Sequence, residues 1–346
     1  MSRGSDEGEK PPGEEHGDDA QHTHFEGARE RMEHTREQFD QARERARDQV
    51  EHAREQFDQA NERIKERTGR DLLLAIAVAL VLGAAVLCSL LFLKGLFVVV
   101  ALAGAGIGVF ELVRAFQGGG RRVDLVPQLV AVPLILLPAY FLDEQVHWTS
   151  LFLAIALIIV WRLVAQMTEG DGRARGATGV LDDVVSGGFI ALYVPFLASL
   201  ALALLRHENG EWWILAFLIV VVVADTGAYA SGLAFGKHKM APRISPNKTW
   251  EGLAGAAVAA LVAGALLAHF MLGLPWWSGL IIGAVILLTA TIGDLGESML
   301  KRDLGIKDMS DWIPGHGGVL DRLDSILLSA GAALGLFLAL SPLSSL

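Results

Sequence analysis

From residue 72 onward the chain is a succession of apolar runs, most of them about twenty residues long and nearly free of charge at their centres. That length matches the hydrocarbon layer of a bilayer crossed by an α-helix. Lipid offers backbone N–H and C=O groups no partners, so each run must close its own hydrogen bonds as a helix. The expectation is an all-α, polytopic helical membrane protein. Nine segments can be drawn, at 72–93, 95–117, 124–142, 147–167, 183–205, 211–234, 251–273, 276–297 and 323–343. Residues 1–71 stand apart, with 20 acidic and 13 basic residues and no apolar run. The chain thus reads as a soluble charged tail, 1–71, followed by a membrane-embedded domain, 72–346.

Basic residues in the short loops set the orientation. With the tail in the cytoplasm, the inward loops carry Arg121, Arg122, Arg173, Arg175, Lys237, Lys239, Arg243, Lys248, Lys301, Arg302, Lys307 and Arg322, against Lys94 and Arg206 outside. The N-terminus is expected inside, the C-terminus outside, and the membrane to be the inner, cell membrane. Trp148, Trp212, Trp213, Trp276 and Trp277 all fall at the outer boundary of this scheme, where indoles favour the headgroup layer. No cleavable signal peptide is visible, and the single Cys88 permits no intrachain disulfide. The net charge of −10 argues against a nucleic-acid partner.

In the tail, "REQFDQA" occurs at 36–42 and again at 54–60. The eighteen-residue period equals about five helical turns and returns the repeat to the same helix face. Ala46, Val50, Ala53, Phe57, Ala60 and Ile64 alternate by four and three, as a coiled-coil seam would. A solvated single helix is the alternative, and the acidic stretch before Phe25 reads as disordered. The tail carries no catalytic constellation; its reading is subunit pairing or partner binding.

Three polar stretches, all on the inward side, carry the chemistry. The first, "ADTGAYASGLAFGKHKMAPRISPNKTWEG" at 224–252, places Asp225 at a span end and adds Ser245, Asn247 and Lys248, donors suited to phosphate or nucleobase. The second, "TIGDLGESMLKR" at 291–302, puts Asp294 and Glu297 on one helix face, with Lys301 one turn beyond Glu297. A structural Glu297–Lys301 salt bridge is the plainer reading of that pair. The third, "PGHGGVLDRLDS" at 314–325, sets Asp321 and Asp324 at the start of the last span, behind Gly315, Gly317 and Gly318. Glycine lets backbone approach a ligand or adopt positive φ, and a helix N-terminus favours anions. Two carboxylates there would repel a bare phosphate, and they suit one bridged by a divalent cation. Carboxylates from separate helices together with Lys and Arg match metal-assisted phosphoryl or nucleotidyl transfer, with Mg²⁺ as the fitting ion. That reading requires Asp294 and Asp321 to meet around a cation with room for it. No His/Cys cluster suggests zinc and no P-loop is present. His316 is a candidate general base, loop residue or phosphate contact.

At these residues the sequence resembles the phosphatidate cytidylyltransferase (CDP-diacylglycerol synthase) family. The family pattern of Ser-x-x-Lys-Arg, four residues, Lys-Asp, then Pro-Gly-His-Gly-Gly, two residues, Asp-Arg and a further Asp is met without departure by "SMLKRDLGIKDMSDWIPGHGGVLDRLD", 298–324. "SPNKTWEG" and "ADTGAY" resemble two further family stretches, so the likeness covers 224–325. The resemblance implies transfer of CMP from CTP to phosphatidic acid, giving CDP-diacylglycerol and pyrophosphate. It implies a homodimer in membrane lipid and a paired Mg²⁺ and K⁺ centre, with Asp294 and Asp321 as metal ligands. Lys301 and Arg302 would join them in catalysis. Asp225, Ser245, Asn247, Lys248, Ser298, Lys307, His316, Gly317, Gly318, Arg322 and Asp324 would bind substrate. Alternatives are another CTP-dependent lipid enzyme, such as a polyprenol kinase or an ether-lipid CDP synthase, and a transporter or lipid-binding scaffold with a charged vestibule.

Overall fold

A computed structural model describes residues 72–168, 175–310 and 317–343. The repeats of the tail and His316 lie outside the described residues. Helices form at every segment drawn from hydropathy: α1 (Leu72–Phe92), α2 (Lys94–Gly118), α3 (Leu125–Phe141), α4 (Glu144–Thr168), α5 (Ala177–Ala191), α6 (Leu197–Arg206), α7 (Gly210–Phe235), α8 (Trp250–Phe270), α9 (Trp276–Asp303) and α10 (Leu320–Leu340). Joined by a π-helical turn, Leu192–Phe196, α5 and α6 form one rod, Ala177–Arg206. Among the described residues, seven helices are long and apolar enough to cross a membrane; two shorter apolar ones accompany them, Leu80–Phe92 and Leu125–Phe141. Large apolar side chains point outward along their lengths, with Phe152 67%, Val258 65% and Phe270 80% exposed. So much apolar surface suits lipid and not water.

Polar sequence decides where the helices depart from the hydropathic segments. The rod α5–α6 begins at Ala177, six residues before the expected start, because Asp183 is buried between Arg162 (3.2 Å) and Arg175 (2.8 Å) and accepts the Arg122 N–H (2.8 Å). A carboxylate so compensated can sit inside the bundle, where an unpaired one could not. Pro195, lacking an N–H, falls in the π turn, where the α-helical ladder is interrupted. At the other boundary Trp148, Trp212, Trp276 and Trp277 are 40–62% exposed, whereas Trp213 is 5% exposed and packs edge-on against Phe337, centroids 5.5 Å apart. Trp213 is thus a core aromatic and not a boundary anchor.

The core runs through the facing sides of α2, α3, α6, α7, α9 and α10, with Leu112, Ile135, Leu136, Leu202, Ile214, Ile286 and Leu320 fully buried. Small residues at four-residue spacing, Gly252, Ala256, Ala260, Gly264 and Ala268, are the buried stripe of α8 and let α7 and α9 approach it closely. An antiparallel hairpin of β1 (Lys239–Ala241) and β2 (Ser245–Thr249) joins α7 to α8. Thr249 ends the hairpin and caps α8, its Oγ1 accepting the Gly252 N–H at 3.1 Å.

Candidate active site

Where α7 ends, α8 begins and α9 meets α10, they enclose with the hairpin a cavity of about 810 Å³. Its polar lining is made by Asp225 from α7, Ser245, Asn247, Lys248 and Thr249 from β2, Thr291 and Asp294 from α9, and Arg322 from α10. Ala224, Ala228, Leu233, Leu253, Ala256 and Leu287 add apolar lining. The three chemical stretches of the sequence therefore converge on one space lined by both charged and apolar side chains. Ser231 ties two of its walls together, its Oγ donating to Gly227 O (2.6 Å) within α7 and to Gly252 O (3.2 Å) of α8.

Around the cavity the acids and lysines interlock. Lys248 forms an ion pair with Asp294, whose other oxygen accepts from Ser298 Oγ at 3.4 Å. Lys301 lies 2.7 Å from Asp321 and 3.4 Å from Glu297. The expected Glu297–Lys301 contact is present, and Asp321 is the nearer partner. Glu297 has no exposure, and neither of its carboxylate oxygens accepts a hydrogen bond. Asp324 receives the Ser325 N–H at 2.6 Å and lies within electrostatic reach of Asp294 and Lys301. Where α9 and α10 cross, a Cβ on Gly293 would fall 2.3 Å from the Asp324 carbonyl oxygen, so only glycine permits this approach.

Two glycines ahead of α10, Gly317 and Gly318, serve carboxylates, while Gly315 lies outside the described residues. Gly317 has φ +79°, a conformation side chains resist. The Gly318 N–H donates to Asp321 Oδ2 at 2.8 Å, and Met309 N–H donates to the same oxygen at 3.1 Å. A residue absent from the sequence reading, Glu111 of α2, accepts Ser310 Oγ–H (2.5 Å) and the N–H groups of Val319 (3.0 Å) and Leu320 (2.8 Å). Its signal was available: a carboxylate inside an apolar span is costly and marks a role.

Other expected site residues sit elsewhere. Arg302 is exposed and reaches Ile244 O of the hairpin turn at 3.4 Å, while Lys307 is exposed and lies outside the cavity lining. For a metal, Asp294, Glu297, Asp321 and Asp324 on α9 and α10 supply hard oxygen donors. Lys248 engages Asp294, and Lys301 engages Asp321 and Glu297, so the shared cation site expected between Asp294 and Asp321 is not assembled in this arrangement. No group of three or more His, Cys, Asp or Glu stands ready to hold an ion among the described residues.

Known proteins resemble the chain over most of its length. The model of the cytidylyltransferase family matches residues 74–340. The chain is 37% identical over 274 residues to a phosphatidate cytidylyltransferase of Mycobacterium bovis, covering 77% of this chain and 88% of that protein. It is 36% identical over 273 residues to that of Mycobacterium leprae, with 77% and 88% covered. Against the enzyme of Haemophilus influenzae, identity reaches 46% over 143 residues, 38% of this chain and 50% of that one. With the match running from the first apolar helix to the last, the chain belongs to the cytidylyltransferase family.

Proposed function

We propose that this membrane enzyme transfers CMP from CTP to phosphatidic acid, forming CDP-diacylglycerol and pyrophosphate. The observation that carries the reading is the mixed lining of the cavity, whose charged and apolar side chains suit a nucleotide and a lipid in one space. Its volume falls within the roughly 300–1,000 Å³ of ligand sites. The relatives' names supply the two substrates.

The acceptor is a phosphate monoester, whose second ionisation lies near pH 6 by analogy with phosphorylated side chains. It is mostly dianionic at neutral pH, so its oxygen can attack the α-phosphorus of CTP without a strong protein base. The obstacle is the approach of two polyanions. Lys248 and Arg322, lining the cavity, lower that repulsion and take up charge developing on the departing pyrophosphate. Lys301, held by Asp321 and Glu297, adds a third cation outside the cavity lining. Asp225, Ser245 and Asn247 offer acceptors and donors for the nucleoside. The apolar lining from α7, α8 and α9 accepts the start of the acyl chains. Asp294 and Asp321 would hold Mg²⁺, with K⁺ as the second ion. Such an ion would supply positive charge to offset that of the phosphates.

The proposal extends to a homodimer in the inner membrane with the site facing the cytoplasm, where CTP is available. The basic loops support that orientation. CTP labelled at the α- or γ-phosphate, supplied with phosphatidic acid and Mg²⁺ to the purified protein, tests the reaction. The α label is expected in lipid and the γ label in pyrophosphate; γ label in lipid would identify a kinase and overturn the reading.

A further inference from the structure

Glu111 is 1% exposed and sits in α2, some two hundred residues before the groups it holds. Val319, the N-cap of α10, offers no side-chain hydrogen bond of its own, and the first N–H groups of a helix have no intrahelical partner. Glu111 supplies the missing acceptor from another helix, and its negative charge suits the positive end of α10. It also takes Ser310 Oγ, on the far side of the stretch leading into α10. Asp321 is interleaved with it, accepting Met309 N–H and Gly318 N–H through Oδ2 while Oδ1 faces Lys301. Two carboxylates thus grip the chain alternately, Asp321 at 309 and 318 and Glu111 at 310, 319 and 320. A Cβ on Gly318 would fall 2.8–3.0 Å from the Glu111 carboxylate atoms, so this glycine makes room for Glu111.

We propose that Glu111 is a positioning residue for the transfer reaction, fixing the start of α10 so that Asp321 meets Lys301 in the orientation catalysis uses. The inference rests on the cytidylyltransferase reading given above. It is tested in the full-length protein in detergent. Glu111→Gln keeps the shape but turns an amide NH₂ toward donors. It is expected to lower kcat about 10–100-fold, the scale of a misplaced reacting group. KM for CTP should stay within about threefold, since the residue does not line the cavity. The melting midpoint should stay within about 3 °C of the parent. Gly318→Ala should lose activity in the same way, and adding Glu111→Asp, one methylene shorter, should restore part of it. A Glu111→Gln kcat within about twofold of the parent would overturn the proposal, as would a loss matched by a fall in melting midpoint. A second readout does not need turnover: hydrogen exchange at the amides of 318–322 should be about tenfold faster in Glu111→Gln, and unchanged exchange would refute the grip. A parent that forms no CDP-diacylglycerol would instead refute the transferase reading, leaving the exchange result to decide the role of Glu111.

Discussion

Lys301 stands between two acids, with only 13% of its side chain exposed. Removing one partner of a buried ion pair leaves uncompensated charge, at a cost of about 3–5 kcal/mol. Lys301→Met should therefore destabilise the protein on that scale as well as abolish turnover, read as a lower melting midpoint in detergent. Adding Glu297→Gln should recover part of the stability but not the activity; a melting midpoint unchanged by Lys301→Met would contradict the pairing. The spacing of Asp294 and Glu297 announced a shared helix face, and Asp294, Lys248, Asp225, Ser245 and Asn247 do converge on one cavity. Depth was not legible: Asp294 lines the cavity, whereas Glu297 is wholly buried beside Lys301. An i,i+3 pair fixes azimuth about a helix but says nothing of how far a neighbouring helix covers each member. Lys307 and Arg302 lie outside the cavity lining, and positive charge at a membrane face serves orientation as readily as catalysis.

Among the elements, apolar periods of helical length were plain in the sequence and the structure has a helix at each. Helix ends were less plain, because hydropathy stops where polarity begins while the backbone continues. For this reason α9 runs on to Asp303, carrying Asp294, Glu297, Ser298 and Lys301 on one rigid element. The hairpin of Lys239–Ala241 and Ser245–Thr249 read as a basic loop, since its few residues are polar and their pairing depends on neighbours. Its junction with α8 hangs on Thr249. Thr249→Ala should cost about 1 kcal/mol through the lost cap. It should also raise KM for CTP, because Ser245, Asn247 and Lys248 precede the cap directly; Thr249→Ser should retain most of both. Unaltered melting and KM in the alanine variant would show that the hairpin is held by other contacts.

For the molecule as a whole, the charge asymmetry of the loops makes a claim about sides that can be tested directly. In a Cys88→Ser background, Lys239→Cys should react with an impermeant maleimide only after the inner face is opened, and Glu208→Cys in sealed cells. The reverse pattern would invert the proposed topology. The account's central claim is that Asp294, which lines the cavity with Lys248, and Asp321, paired with Lys301 beyond the lining, together serve the transfer. Its most direct test is CDP-diacylglycerol formation by Asp294→Asn and Asp321→Asn in Mg²⁺-containing buffer, each checked for folding by its melting midpoint. Both variants should remain folded and lose about 100-fold or more of the parent's turnover, the scale of losing a preorganised electrostatic group. Turnover within a few-fold of the parent in either variant would contradict the claim.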